Sequence, residues 1–289
     1  MTYCLGIVTK FGLIMASDSR TNAGSDQVNV TRKMHSFVQE GQHVFVLLTS
    51  GSLSCSQSVL TLLRRDYNRG EGLAAANTMY DAARLIGKAV REVAEIDGPA
   101  LARDDYSFNV NIILGGQVKG EPPALFMIYP QGNPLQASEE SPFLQIGETK
   151  YGRPILDRGI RFDKTTLEEA AKYALLSLDS TMKSNVTVGP PIDLLAYSPD
   201  ELSLRRQRRF TADDPQLQRM RGRWDQALRQ AVSRLPEVRF PAPQTHTAGA
   251  EVQQSIELVD TLPPGDAPEP PSAQSGRDSV GVSHVDRTQ

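Results

Sequence analysis

The chain has 289 residues, 39% hydrophobic and 22% charged, enough apolar content for a packed core in one large domain, or one domain with a tail. A net charge of -3 excludes the basic balance that nucleic acid or an acidic membrane surface selects. Two cysteines, Cys4 and Cys55, are too few for a disulfide framework and read as buried free thiols in a reducing, cytoplasmic compartment.

The opening stretch has no basic leader, and Lys10 with Phe11-Gly12 interrupts its apolar run, so no secretory signal is expected. Nor does any run reach the about 18–20 apolar residues that cross a bilayer. Tyr3 to Val8 and Leu13 to Ser19 read instead as two strands of a hairpin. His43 to Thr49 is a third strand, closed by Ser50-Gly51-Ser52. A serine-capped helix follows from about Leu53 to Tyr67, with Val59, Leu60 and Leu63 on one face. A second helix covers about Asn77 to Ile96, where Met79, Ala83, Ile86, Val90 and Val93 recur at helical spacing.

Ser107 to Gly116 alternates, with Phe108, Val110, Ile112 and Leu114 on one side, and Leu125 to Tyr129 is its hairpin partner. A short helix follows Gly147. Thr165 and Thr166 precede Glu168 and Glu169 at capping-box spacing and open a helix that runs to Met182. Ile192 to Ser198 is a strand. Arg205, Arg206, Arg208 and Arg209 form the concentrated basic run, read as a solvated strand or loop edge. Gln216 to Leu235 is a polar helix around Trp224.

Helices thus arrive in pairs between pairs of strands, rather than one after each strand. That order predicts an α+β fold, a four-layer α/β/β/α sandwich of two antiparallel sheets with a helix pair on each outer face. The folded domain is expected over residues 1–235. From Pro236 to Gln289, prolines stand among Ala, Gln, Ser, Glu and Gly with too little apolar surface to offset ordering entropy, which predicts a disordered tail.

Chemistry begins at Thr2. Once Met1 is trimmed, this residue carries a hydroxyl nucleophile and, on the same residue, an amine able to act as its base. An unperturbed α-amine titrates at about 7.7–8.0, close to working pH. A lysine beside the hydroxyl favours the alkoxide electrostatically, and Lys33 is positioned for this in TRKMH. It must itself be held charged, and Asp18, in MASDSRTNAG, is the carboxylate for it.

Thr2, Asp18 and Lys33 together resemble the proteasome β-subunit family of N-terminal nucleophile hydrolases. Asp18 follows Thr2 at the family interval, and Asp18-Ser19-Arg20 matches its Asp-x-Arg element. Lys33 falls one residue short of the usual spacing, implying a loop deletion after Arg20. More narrowly, MTYCLGIV, GLIMASDSRTNAG and RKMH are similar to the Anbu (ancestral β subunit) branch of bacterial proteasome-type peptidases, densest over residues 2–67 and thinner to about 235. The resemblance implies that Gly51 gives its backbone N–H to the oxyanion, that Thr21, Asn22, Thr49 and Leu53 line the substrate pocket with His35 beside them, and that Asp179 supports the Thr2 amine. It implies, too, a homo-oligomeric ring or open spiral acting on peptide or protein substrates without a cofactor; it leaves an ATPase partner unknown.

The chain departs from the family at two serines. Glu148 stands in the place of one, or Thr149 does if the alignment slips; Met182 stands in the other, with Ser184 as a substitute after an insertion. His35, His43, His246 and His284 form no ligand cluster, and no metal site is read. Two other functions stay open: a ring-forming scaffold with weak catalysis, and an amidase for small molecules or isopeptides.

Overall fold

The computed structural model describes residues 2–23 and 27–241, so most of the proline-rich segment, with His246 and His284, lies outside the described residues. The chain divides into two units, Met1–Arg234 and Leu235–Gln289. The first carries every element described below.

Strands β1 (Tyr3–Thr9) and β2 (Gly12–Asp18) are buried at every position. Their alternate faces explain why. Tyr3, Leu5, Ile7, Ile14 and Ala16 face a helix layer, while Cys4, Val8, Leu13 and Met15 face the other sheet. A short hairpin, β3 (Arg20–Ala23) with β4 (Gln27–Val30), leads to β5 (Met34–Gln39) and β6 (His43–Gly51). Helices α1 (Leu53–Asn68) and α2 (Met79–Arg103) come next, then β7 (Val110–Val118), β8 (Ala124–Ile128), β9 (Pro134–Gln136) and β10 (Phe143–Gly147). The remainder is α3 (Arg153–Gly159), α4 (Leu167–Ser184), β11 (Ile192–Tyr197), β12 (Arg206–Phe210) and α5 (Pro215–Ser233).

One sheet has the order β10-β1-β2-β11-β12 and the other β5-β6-β7-β8-β9, with every pairing antiparallel. Three apolar layers hold four layers of structure together. Helices α1 and α2 cover the second sheet through Val59, Leu63, Ile86, Val90, Ile112 and Leu114. Helices α3, α4 and α5 cover the first through Leu156, Ala170, Leu178 and Leu217. Cys4, Met15, Leu48, Ile113 and Ile146 fill the space between sheets. The expected α/β/β/α sandwich is what forms.

Local signals fix several boundaries. Of the two overlapping capping-box patterns, the one at Thr166 forms: its Oγ1 accepts from Glu169 N at 3.3 Å while Glu169 Oε2 accepts from Thr166 N at 3.0 Å. The basic run became edge strand β12, where Arg206, Arg208 and Arg209 pair with Glu201, Asp214 and Asp193. Helix α2 continues beyond the expected Ile96, through Pro99, to Arg103. Proline cannot bond the carbonyl of Glu95, and Glu95 is an exposed residue, open to solvent.

Candidate active site

The site is built around the entry to β1. Tyr3 pairs with Gly147 on one side, and Cys4 with Ser17 on the other. Glu148 N–H donates to Thr2 O at 2.8 Å. Gly147 has φ +85°, and a Cβ there would strike the Thr2 carbonyl, so β10 can lie this close only with glycine. These contacts hold Thr2 by its backbone at the edge of a cleft.

Asp18, at the end of β2, is 0% exposed and Lys33, just before β5, is 5% exposed. Lys33 Nζ donates to Asp18 Oδ1 at 2.6 Å and to Arg20 O at 2.7 Å. Asp18 Oδ1 also accepts from Tyr3 N at 3.0 Å, and Oδ2 from Gly189 N at 3.2 Å. Burial pushes the Asp18 carboxyl above the usual carboxylate range; the Lys33 ammonium and the two backbone N–H groups act against that rise. Lys33 is fixed from behind, because its carbonyl accepts from Thr49 N at 3.0 Å. Arg20 positions the rest: Nη1 donates to Val186 O at 2.5 Å, and its N–H donates to Gly189 O at 3.3 Å, securing the loop that reaches Asp18.

Thr2, Thr21, Lys33, Thr49, Gly51 and Leu53 line one cleft of about 430 Å³. At Gly51 the backbone turns with φ +102°, where a Cβ would meet the carbonyl of Asn109. His35 also lines the cleft, 3.3 Å through Nδ1 from an Arg64 nitrogen. Burial, with Arg64 and Arg32 nearby, pushes its pKa down to about 4, so the ring is neutral near pH 7. On the other side of Thr2 a recess of about 450 Å³ shares Thr21, Gly51 and Leu53 and adds Asn109, Asn111 and Glu148.

The other expected residues fall elsewhere. Thr149 lines neither space and its N–H bonds Gly147 O at 3.0 Å, which leaves Glu148 as the residue that stands beside Thr2. Asp179 does not join the set. Helix α4 turns its buried carboxylate toward α5, where it pairs with Arg221, and toward Lys183 at 4.0 Å. The Asp179 carboxylate lines neither space beside Thr2. Ser184 is exposed at the last residue of α4, away from the cleft. The Asn22 side chain lies outside the described residues. Arg32 and Arg64 are among the cleft residues that were not foreseen. Arg64 follows Leu53, Gln57 and Leu60 at helical spacing, so the face of α1 that Leu53 starts was the available signal.

The chain matches the family model of proteasome subunits over residues 2–195. It is similar to the solved Gly-1 mutant of Anbu from Hyphomicrobium sp. strain MC1, at 45% identity, TM-score 0.78, over 83% of this chain and 100% of that one. It is similar also to Anbu (ancestral beta-subunit) from Yersinia bercovieri, at 41% identity, TM-score 0.78, over 83% and 100%. A helical assembly of the Anbu complex from Pseudomonas aeruginosa has a subunit 43% identical, TM-score 0.78, over 84% and 100%. No curated protein matches the chain.

Proposed function

Because the chain belongs to the proteasome subunit family, in its Anbu branch, we propose that it is an N-terminal-threonine hydrolase of peptide or amide bonds, active once removal of Met1 frees the Thr2 amine. What carries this reading is the buried Lys33–Asp18 pair at the floor of the cleft that Thr2 lines. Lys33 has three N–H donors, and Asp18 and Arg20 O take two. The third is left for the hydroxyl of Thr2.

Thr2 Oγ attacks the substrate carbonyl carbon and its proton passes, through water, to the Thr2 amine. Gly51 N–H holds the negative charge that develops on the carbonyl oxygen. The C–N bond breaks as the leaving amine takes that proton, which leaves an ester on Thr2. Water then adds to the ester, the acid departs and Thr2 Oγ–H is restored. Thr21, Thr49 and Leu53 receive the acyl residue's side chain. Asp18 keeps Lys33 charged and aimed. The fold neighbours and the described helical assembly from Pseudomonas aeruginosa support a homo-oligomeric state for this chain too. Among the described residues no helix is long and apolar enough to cross a membrane, and both cysteines are free and buried; we place the protein in the cytoplasm.

Intact mass of the protein purified from cells, before and after an epoxyketone probe, tests the reading, since the probe needs both the hydroxyl and the free amine of Thr2. One probe adduct on a chain lacking Met1 is the expected result. Lys33→Ala should lower the labelling rate at least about 100-fold while assembly persists on a sizing column. Full labelling of Lys33→Ala would remove Lys33 from the mechanism, and no labelling of the parent protein would leave only the ring-forming scaffold.

A further inference from the structure

The cleft beside Thr2 has a polarity that the hydrolytic reading does not use. Among the described residues its lining holds three cationic side chains, Lys33, Arg32 and Arg64, and not one carboxylate. The Lys33 charge is matched by Asp18. Among the described residues neither Arg32 nor Arg64 has an ion-pair partner. Two guanidinium groups, both on exposed residues, therefore give the cleft its unmatched positive charge. The Arg64–His35 contact makes Nδ1 of the neutral ring the acceptor, so His35 orients Arg64 without adding charge and keeps its Nε2–H as a donor. On the other side of Thr2, the recess carries Glu148 and two asparagines and no arginine. The two arginines thus line the cleft and not the recess.

A guanidinium presents donors in a fork that fits a carboxylate, and within a partly enclosed cleft such a charged hydrogen bond is stronger than at an open surface. Lysine or arginine in the same place would meet like charge, and a leucine would offer the donors no acceptor of its own. We infer that the residue supplying the acyl group to Thr2 carries a carboxylate side chain, aspartate or glutamate, and that Arg64 with Arg32 selects it. This deepens the hydrolase reading and rests on it for the identity of the acylating site.

The experiment uses the full-length protein and tripeptide epoxyketones that differ only at the residue next to the warhead: Glu, Gln, Leu or Lys. Labelling of Thr2 is followed by intact mass. The Glu probe should label about tenfold faster than its isostere Gln, and Lys slowest. In Arg64→Glu the Glu-to-Gln ratio should fall at least about fivefold and the Lys probe should gain. Equal rates for Glu and Gln, or a ratio unmoved in Arg64→Glu, would overturn the inference. A second arm avoids the chemistry: Thr2→Ala is titrated with fluorescent peptides ending in Glu-amide or Gln-amide. Preference for Glu there, with no probe labelling in the parent, would sink the nucleophile while sustaining the pocket; equal affinities would sink the pocket whatever Thr2 does.

Discussion

Asp18 holds three groups with two oxygens: the Lys33 ammonium, Tyr3 N–H and Gly189 N–H converge on it, while Arg20 secures the loop that brings Gly189. Asp18→Asn keeps the shape and removes the charge, which leaves the Lys33 ammonium buried without its counterion. Breaking a buried pair in that way costs about 3–5 kcal/mol, so the variant should melt well below the parent protein and lose labelling of Thr2. The pH dependence has a definite sign. Burial raises the Asp18 carboxyl, so on acidification its charge is lost at a higher pH than the about 3.9 of an exposed aspartate. The labelling rate should therefore fall as pH falls, along an arm with an apparent pKa above that value; an arm at or below it would show that Asp18 is not the group being titrated. The pairing of Asp18 with Lys33 was readable from the family resemblance that these residues carry with Thr2. Arg64 was not, since an arginine on a polar helix face looks solvated until the fold turns that face onto a cleft.

Among the elements, α4 depends on its N-terminus. Thr166→Ala removes the half of the capping box that the Thr166 hydroxyl makes while keeping the residue 166 N–H, and should cost about 1 kcal/mol and lower Tm by about 2–4 °C, read by thermal melting. This start was legible because a cap is a local matter of residues three apart. Strands β1, β2 and β7 were legible for a related reason: both their faces meet apolar layers, so alternation and burial speak together. The elements that went unread, β3, β4, β5, β9 and β10, are short or lie at an edge, and β12 was read only as a strand or loop edge. Arg206–Phe210 is held by backbone pairing to β11 and by side-chain ion pairs, neither of which leaves a hydrophobic period. The loop that delivers Gly189 to Asp18 was unread as well, because its contact crosses 171 positions of sequence.

At the scale of the whole molecule, the sandwich is complete within the unit Met1–Arg234. We expect a chain stopped after Arg234 to keep the Tm of the parent protein and its rate of Thr2 labelling; a lower Tm or slower labelling would give the remaining residues a part in folding or in the site. The four-layer order followed from the pairing of helices with strand pairs, whereas the docking of α5 on Asp179 through Arg221 did not, since a polar helix has no face that announces its neighbour.

The groups we propose to react belong to different leaves of the sandwich. Thr2 and Asp18 ride on one leaf and Gly51 and Lys33 on the other. The thickness of the filling between them, set by Cys4, Met15, Leu48 and Ile113, therefore gauges the gap between nucleophile and oxyanion donor. A methyl group added or shaved in that filling acts like a shim of the wrong size: the protein stays folded while its two half-sites come out of alignment.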